Sequence, residues 1–167
     1  MSPQLPEPPT FYGTARQKID EKGRICLPKR WEESVQSVGT FVLTPSPRGC
    51  LLLMREDRWQ QFCGDIPDHP FDDQESGDCE KLFLFVGHRD TATPDKSLRI
   101  LISQALRECV GIDERENDVL YLVGTGQEIQ VWSKTRWMDA VTTACKVRLA
   151  GHLDQQGASP LAGKPAD

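Results

Sequence analysis

Residues Lys18 to Pro28 read "KIDEKGRICLP", and residues Thr93 to Ser103 read "TPDKSLRILIS". In both, an aspartate precedes an arginine by four positions, and apolar residues alternate after the arginine. Asp20 and Asp95, Arg24 and Arg99, Ile25 and Ile100, and Leu27 and Ile102 all correspond at an offset of 75. Farther on, "CLLLMREDRW" corresponds to "EIQVWSKTRW" at an offset of 78, with Trp59 over Trp137. An aromatic followed closely by glycine, "FYG" at Phe11 and "FVG" at Phe85, precedes each charged turn. A self-similarity that keeps its order over this length reads as an internal duplication.

Each copy follows the pattern β-β-α-β-β-α. In the first, "TARQKID" and "RICLP" are short strands flanking the turn Asp20-Glu21-Lys22-Gly23, which predicts a hairpin with Gly23 at positive φ. Leu98 stands where the second copy should carry that glycine, and a leucine resists positive φ, so the second turn is expected to differ or shift. Pro28 suits the first turn of a helix through "PKRWEESV". Ser103 is placed to cap "QALRECV", with Gly111 just past its end. The next hairpins are "TFVLTPSPRGCLLLM" and "VLYLVGTGQEIQVW", the latter turning at Gly124-Thr125-Gly126. Helices "REDRWQQFC" and "SKTRWMDAVTTACKV" close the two copies. A half of about 50 residues is marginal alone, so the two should interleave their hairpins around one core. The expected fold class is α+β, mostly β: a compact barrel decorated by helices.

The boundaries follow from composition. Residues 1–10 hold four prolines and little to bury, and read as a disordered arm. Residues 11–63 form the first unit, 64–80 an acidic, turn-rich linker, 81–148 the second unit and 149–167 a disordered tail. Hydrophobic residues make up 38% and charged residues 27%, an ordinary soluble balance. No apolar run approaches the roughly 20 residues that span a bilayer. "MSPQLPEPPT" lacks the basic and apolar regions of a signal peptide, so a cytosolic protein is expected.

Enzyme templates fail: there is no G-x-S-x-G, Walker A or H-E-x-x-H. "GTGQEI" at Gly124 lacks the third glycine of a dinucleotide loop, and nothing orients His88, Asp90 and Cys79 as a catalytic group. The six cysteines contain no C-x-x-C pair, and with three histidines no zinc spacing appears. Cys26, Cys50, Cys109 and Cys145 lie in apolar segments and read as small core fillers. No catalytic residue, metal or cofactor is expected.

What remains is charge. The net charge is −5, yet Arg16, Lys18, Lys22, Arg24, Lys29 and Arg30 face only Asp20 and Glu21 between Gly13 and Arg30. From Glu56 to Glu80 the balance inverts, with Arg58 alone against nine carboxylates. A local basic cluster attracts phosphate whatever the net charge. Arg16 and Lys18 share one strand face, and Lys22 and Arg24 stand at the turn, where long side chains reach phosphates or base edges. The same charges also suit a solvated edge strand that resists aggregation.

"FYGTARQKIDEKGRICLPKRW", "CLLLMREDRW", "TPDKSLRILISQALRECVGI" and "LVGTGQEIQVWSKTRW" together resemble the MraZ family over about residues 11–140, in both halves and in order. Its core motif, D-x-K-G-R, is here Asp20 to Arg24. The resemblance implies an AbrB-like swapped-hairpin fold of double-psi type, built from two tandem units and assembled into ring-like homo-oligomers. It implies a cytoplasmic, nucleoid-associated regulator that binds short direct repeats in double-stranded promoter DNA upstream of its own division and cell-wall operon. The residues implicated are Arg16, Lys18, Lys22, Arg24, Lys29, Arg30, Lys96, Arg99 and Arg107, with Asp20, Gly23 and Asp95 forming the turns. The chain departs from the family pattern at Leu98, at Glu32 where Arg107 is the counterpart, at Tyr12 in "FYG" and in the acidic insertion. An oligomeric scaffold that keeps the fold without specific DNA binding is the alternative, and the first turn is expected to carry most of any DNA contact.

Overall fold

The computed structural model describes residues 9–64, 82–112 and 119–156. Most of the N-terminal arm, the acidic linker beyond Gly64 and residues 157–167 therefore lie outside the described residues. The chain divides into two compact units, Met1–Lys134 and Thr135–Asp167.

In the first unit the elements run β1 (Phe11–Lys18), β2 (Arg24–Cys26), a 3-10 turn (Lys29–Trp31) leading into α1 (Glu32–Val38), β3 (Phe41–Pro45), β4 (Leu51–Met54) and α2 (Glu56–Gly64). A π-helical turn (Leu82–Val86), β5 (Asp90–Ala92), β6 (Arg99–Leu101), α3 (Gln104–Cys109), β7 (Val119–Gly126) and β8 (Glu128–Ser133) follow. The last helix, α4, is Lys134–Gln156 and forms the body of the second unit, running past position 150, where the sequence reads as tail. The fold is α+β and mostly strand.

Six strands form one antiparallel sheet in the order β1-β7-β8-β4-β3-β5, and β2 and β6 form a separate two-stranded ribbon. Among the described residues the sheet ends at β1 and β5, so strand pairing leaves it open and the expected closed barrel is not formed. The expected β1–β2 hairpin is also absent. The turn from Asp20 to Gly23 joins the two strands, but β1 pairs with β7 and β2 with β6. β3 pairs with β5 and β4 with β8, so strands from opposite ends of the chain interleave. Neither half buries its apolar faces without the other.

The sequence explains the layers. β3 and β4 are buried at every position, which suits central strands covered on both faces and their unbroken apolar runs. Phe11, Trp31 and Phe41 meet in the core, with ring centroids 5.8 Å (Phe11–Trp31) and 6.0 Å (Phe11–Phe41) apart. At the β1 edge, the carbonyls of Thr10, Tyr12 and Thr14 accept hydrogen bonds from Ser34 Oγ (3.0 Å), Trp31 Nε1 (3.0 Å) and Arg30 Nη2 (2.9 Å). Alternate outward carbonyls are thus occupied by side chains, which blunts a long edge against strand addition. The turn expected at Gly124 lies farther on, because Gly124 is still paired with Ile129. Gly124 serves a close approach instead: a Cβ there would lie 2.5 Å from the Phe11 carbonyl carbon.

The cysteines divide by burial. Cys50 is fully buried, and burial pushes its thiol pKa up to about 11. Cys26 and Cys145 are exposed, against the expectation of core fillers, and for Cys26 the reason is that its neighbour Ile25 takes the inward position.

Candidate nucleic-acid interface

The two charged turns are built alike. Asp20 Oδ1 accepts from the backbone N–H groups of Lys22 (3.0 Å) and Arg24 (2.8 Å), and its Oδ2 accepts from Arg24 Nε at 2.8 Å. Asp95 Oδ1 accepts from Ser97 N (2.8 Å) and Arg99 N (2.9 Å), and its Oδ2 from Arg99 Nε at 2.8 Å. The backbone repeats the match, with Gly23 N donating to Asp20 O and Leu98 N to Asp95 O, each at 2.9 Å. Both aspartate pKa values are lowered, chiefly by the arginine backbone N–H and, against partial desolvation, by the guanidinium.

The second turn does not shift. Leu98 takes φ 58, close to the φ 79 of Gly23. A left-handed L-residue costs roughly 1–2 kcal/mol. Leu98 is buried in the core cluster at 9% exposure, and full burial of a leucine contributes about 1.5–3 kcal/mol. Burial therefore offsets the strain, a compensation that local propensity does not reveal. The disturbance expected of the second turn at Leu98 is therefore absent.

The ribbon joins the turns. Arg24 lies opposite Leu101, Ile25 opposite Ile100 and Cys26 opposite Arg99. Two further bonds extend the ladder, from Ile102 N to Gly23 O (2.9 Å) and from Leu27 N to Leu98 O (2.8 Å). Ile25 and Ile100 are each 1% exposed, so alternation sends Arg24, Cys26, Arg99 and Leu101 to the outer face. Each arginine spends Nε on its aspartate, and the terminal Nη donors take no part in that bond. A guanidinium buttressed in this way is preorganised for end-on bidentate contact with an acceptor pair.

The remaining expected residues fall into groups. Lys22 and Lys96 are exposed on the turns beside Arg24 and Arg99. Arg107 reaches the first turn from α3, since a Cβ on Gly23 would lie 3.1 Å from its Cζ and 2.9 Å from Ile102 O. Residues from both halves thus build that turn. Arg16 and Lys18 are exposed on β1, with the Arg16 guanidinium 5.8 Å from the Tyr121 ring centroid. Lys29 is exposed in the 3-10 turn. Arg30 is engaged at the β1 edge with Thr14 O and lies 5.4 Å from the Trp31 ring centroid. Sequence reasoning passed over Leu101 and placed Cys26 in the core, although alternation about Ile100 and Ile25 is a legible signal for their outward placement. Tyr121 carried no signal, because its position beside Arg16 depends on β1–β7 register.

Among the described residues, no three His, Cys, Asp or Glu side chains are grouped to hold a metal ion, and no helix is long and apolar enough to cross a membrane. His88 Nδ1 lies 2.9 Å from Phe83 O, and its ring packs edge-on against Phe83. Cys79 lies outside the described residues.

Residues 10–80 match the family model described as "MraZ protein, putative antitoxin-like". A protein of Dechloromonas aromatica named "Transcriptional regulator MraZ" is 33% identical over 145 residues, covering 86% of this chain and 93% of that one. Relatives of the same name from Lachnoclostridium phytofermentans (32% identical, 89% of this chain and 99% of the relative) and Acetivibrio thermocellus (32%, 76% and 83%) agree. With the paired Asp–Arg turns in place and relatives aligned over nearly their whole length, the chain belongs to the MraZ family.

Proposed function

We propose that this protein is a sequence-specific DNA-binding transcriptional regulator that presents the outer face of its β2–β6 ribbon to the major groove. The observation that carries the reading is the pair of guanidiniums, Arg24 and Arg99, each fixed by an aspartate on one exposed ribbon face. A major groove about 12 Å wide admits a two-stranded ribbon, and arginine is the commonest partner of guanine O6 and N7. Lys22, Lys96 and Lys18 supply phosphate contacts, which position the protein without reading sequence. The name shared by the relatives, transcriptional regulator, supports the same reading.

The finer account follows the family pattern. Residues 11–63 and 81–148 are two tandem swapped-hairpin units joined by the 64–80 linker. Two cross-strand pairs support a pseudo-twofold relation between them: Ile25 lies opposite Ile100, 75 positions on, and Leu52 opposite Gln130, 78 positions on. The protein acts in the cytoplasm at the nucleoid as a ring-like homo-oligomer, without enzymatic activity or cofactor. It binds direct repeats upstream of its own operon in the division and cell-wall cluster. One ribbon offers few contacts, and several on one assembly multiply affinity through effective concentration.

Binding of the full chain to the DNA upstream of its own gene, titrated with salt, tests this reading. The expected result is a protected set of repeats with log affinity falling linearly in log salt, and light scattering showing an oligomer. Absence of salt-sensitive binding overturns the regulator reading in favour of a scaffold.

A further inference from the structure

Leu101 is 55% exposed, while its neighbours Ile100 and Ile102 are 1% and 0% exposed. Strand alternation accounts for its direction but not for its apolar character. It lies directly opposite Arg24, in an array whose other outward members are Cys26 and Arg99. Directly paired residues on one face hold their Cβ atoms about 4.5–5.5 Å apart. An isobutyl group is thus held beside a guanidinium that its aspartate has already oriented.

An aliphatic side chain has nothing to offer a phosphate. Among the groups that base pairs present in the major groove, the thymine C5-methyl is the apolar one. Resting on the DNA-binding reading above, we infer that Leu101 is a specificity-determining residue that seats against a thymine methyl beside the base pair contacted by Arg24. The two flanking guanidiniums supply the charge complementarity that brings this face to the duplex.

A second consequence comes from the repeat. Leu101 and Cys26 occupy equivalent positions at the offset of 75, as do Arg24 and Arg99, and Ile25 and Ile100. With identical outward residues in both copies, the ribbon would dock equally well in either direction along DNA. Leucine at one end and a smaller thiol at the other make the two directions unequal, so Leu101 also orients the chain on an asymmetric site.

The test uses the full-length protein and a randomised duplex pool, with wild type, Leu101→Ala and Leu101→Val selected in parallel. Each thymine of the wild-type consensus is then replaced singly by deoxyuridine, which removes only the methyl. At one position wild type weakens about fourfold, the worth of one buried methyl-sized group. Leu101→Ala is indifferent there, and Leu101→Val keeps part of the effect. All three melt at the same temperature, because the side chain is exposed. Wild-type indifference at every thymine, or an undiminished loss in Leu101→Ala, overturns the role of Leu101 while leaving DNA binding intact. If wild type enriches no site, the DNA-binding reading itself fails and this inference fails with it.

Discussion

Replacing Gly23 with alanine tests how the first turn is held. Gly23 sits at φ 79, and a Cβ there would lie 2.9 Å from the backbone oxygen of Ile102 and 3.1 and 3.2 Å from Cζ and Nε of Arg107. The left-handed conformation costs an L-residue roughly 1–2 kcal/mol. Leu98 shows that the fold tolerates this cost where a side chain is buried in return. Alanine at position 23 gains no such burial, and its Cβ meets a carbonyl that belongs to the backbone and does not rotate away. Relief requires the Ile102 N to Gly23 O bond (2.9 Å) to lengthen, and losing it costs about 0.5–1.5 kcal/mol. Reduced freedom of the unfolded chain returns roughly 0.4–1 kcal/mol. The net loss is about 0.5–3 kcal/mol, a fall in Tm of roughly 1–12 °C for a domain near this size. Urea unfolding followed by tryptophan fluorescence reads it, because Trp31 is buried in the core. A change smaller than about 0.5 kcal/mol, the range of an ordinary surface substitution, would refute the close approach.

Three further outcomes follow from the same geometry. Leu98→Ala keeps the left-handed strain and loses the packing, for about 2–5 kcal/mol, whereas Leu98→Gly relieves the strain and should be the less damaging in urea unfolding. Asp20 and Asp95 should titrate below 3.8 in carboxyl NMR. A depressed folded pKa gives stability that is present above the unfolded value and lost as pH falls through the folded one. The turns should therefore be indifferent to pH near neutrality and loosen only below about pH 3.8, and a midpoint at or above that value would contradict the bonding described. Gly124→Ala should push β1 from β7, because its Cβ would meet Phe11 C at 2.5 Å and Tyr12 N at 2.7 Å; faster amide exchange confined to those strands is the readout.

Much of the fold was legible because the signals were local. Asp20 and Asp95 fix their turns with bonds to residues two and four positions on, and the same spacing marks both copies. The element order β-β-α-β-β-α shows in the alternation and the Pro and Gly punctuation. Pairing was not legible. A turn between two strands suggests a hairpin, whereas β2 found β6 and β1 found β7, a choice made by burial across the whole chain. Leu98 was misjudged for a related reason: its core contact is tertiary, and propensity sees only φ. At the site, the arginines were visible as a motif, but the reach of Arg107 toward Gly23 depends on packing between segments 84 positions apart.

The central claim, that the ribbon arginines read DNA, is tested most directly by quantitative binding of Arg24→Ala, Arg99→Ala and Arg30→Ala to the site selected by wild type. The two turns share one geometry, so Arg24→Ala and Arg99→Ala should each cost about 1–3 kcal/mol of specific binding, the value of one good base contact. Non-specific affinity and melting temperature should change little, because an exposed ion pair contributes about 0–1 kcal/mol to stability. Arg30→Ala, whose guanidinium holds Thr14 O at the β1 edge, should leave sequence discrimination in place. Specific binding as tight as wild type in folded, oligomeric Arg24→Ala and Arg99→Ala would contradict the account.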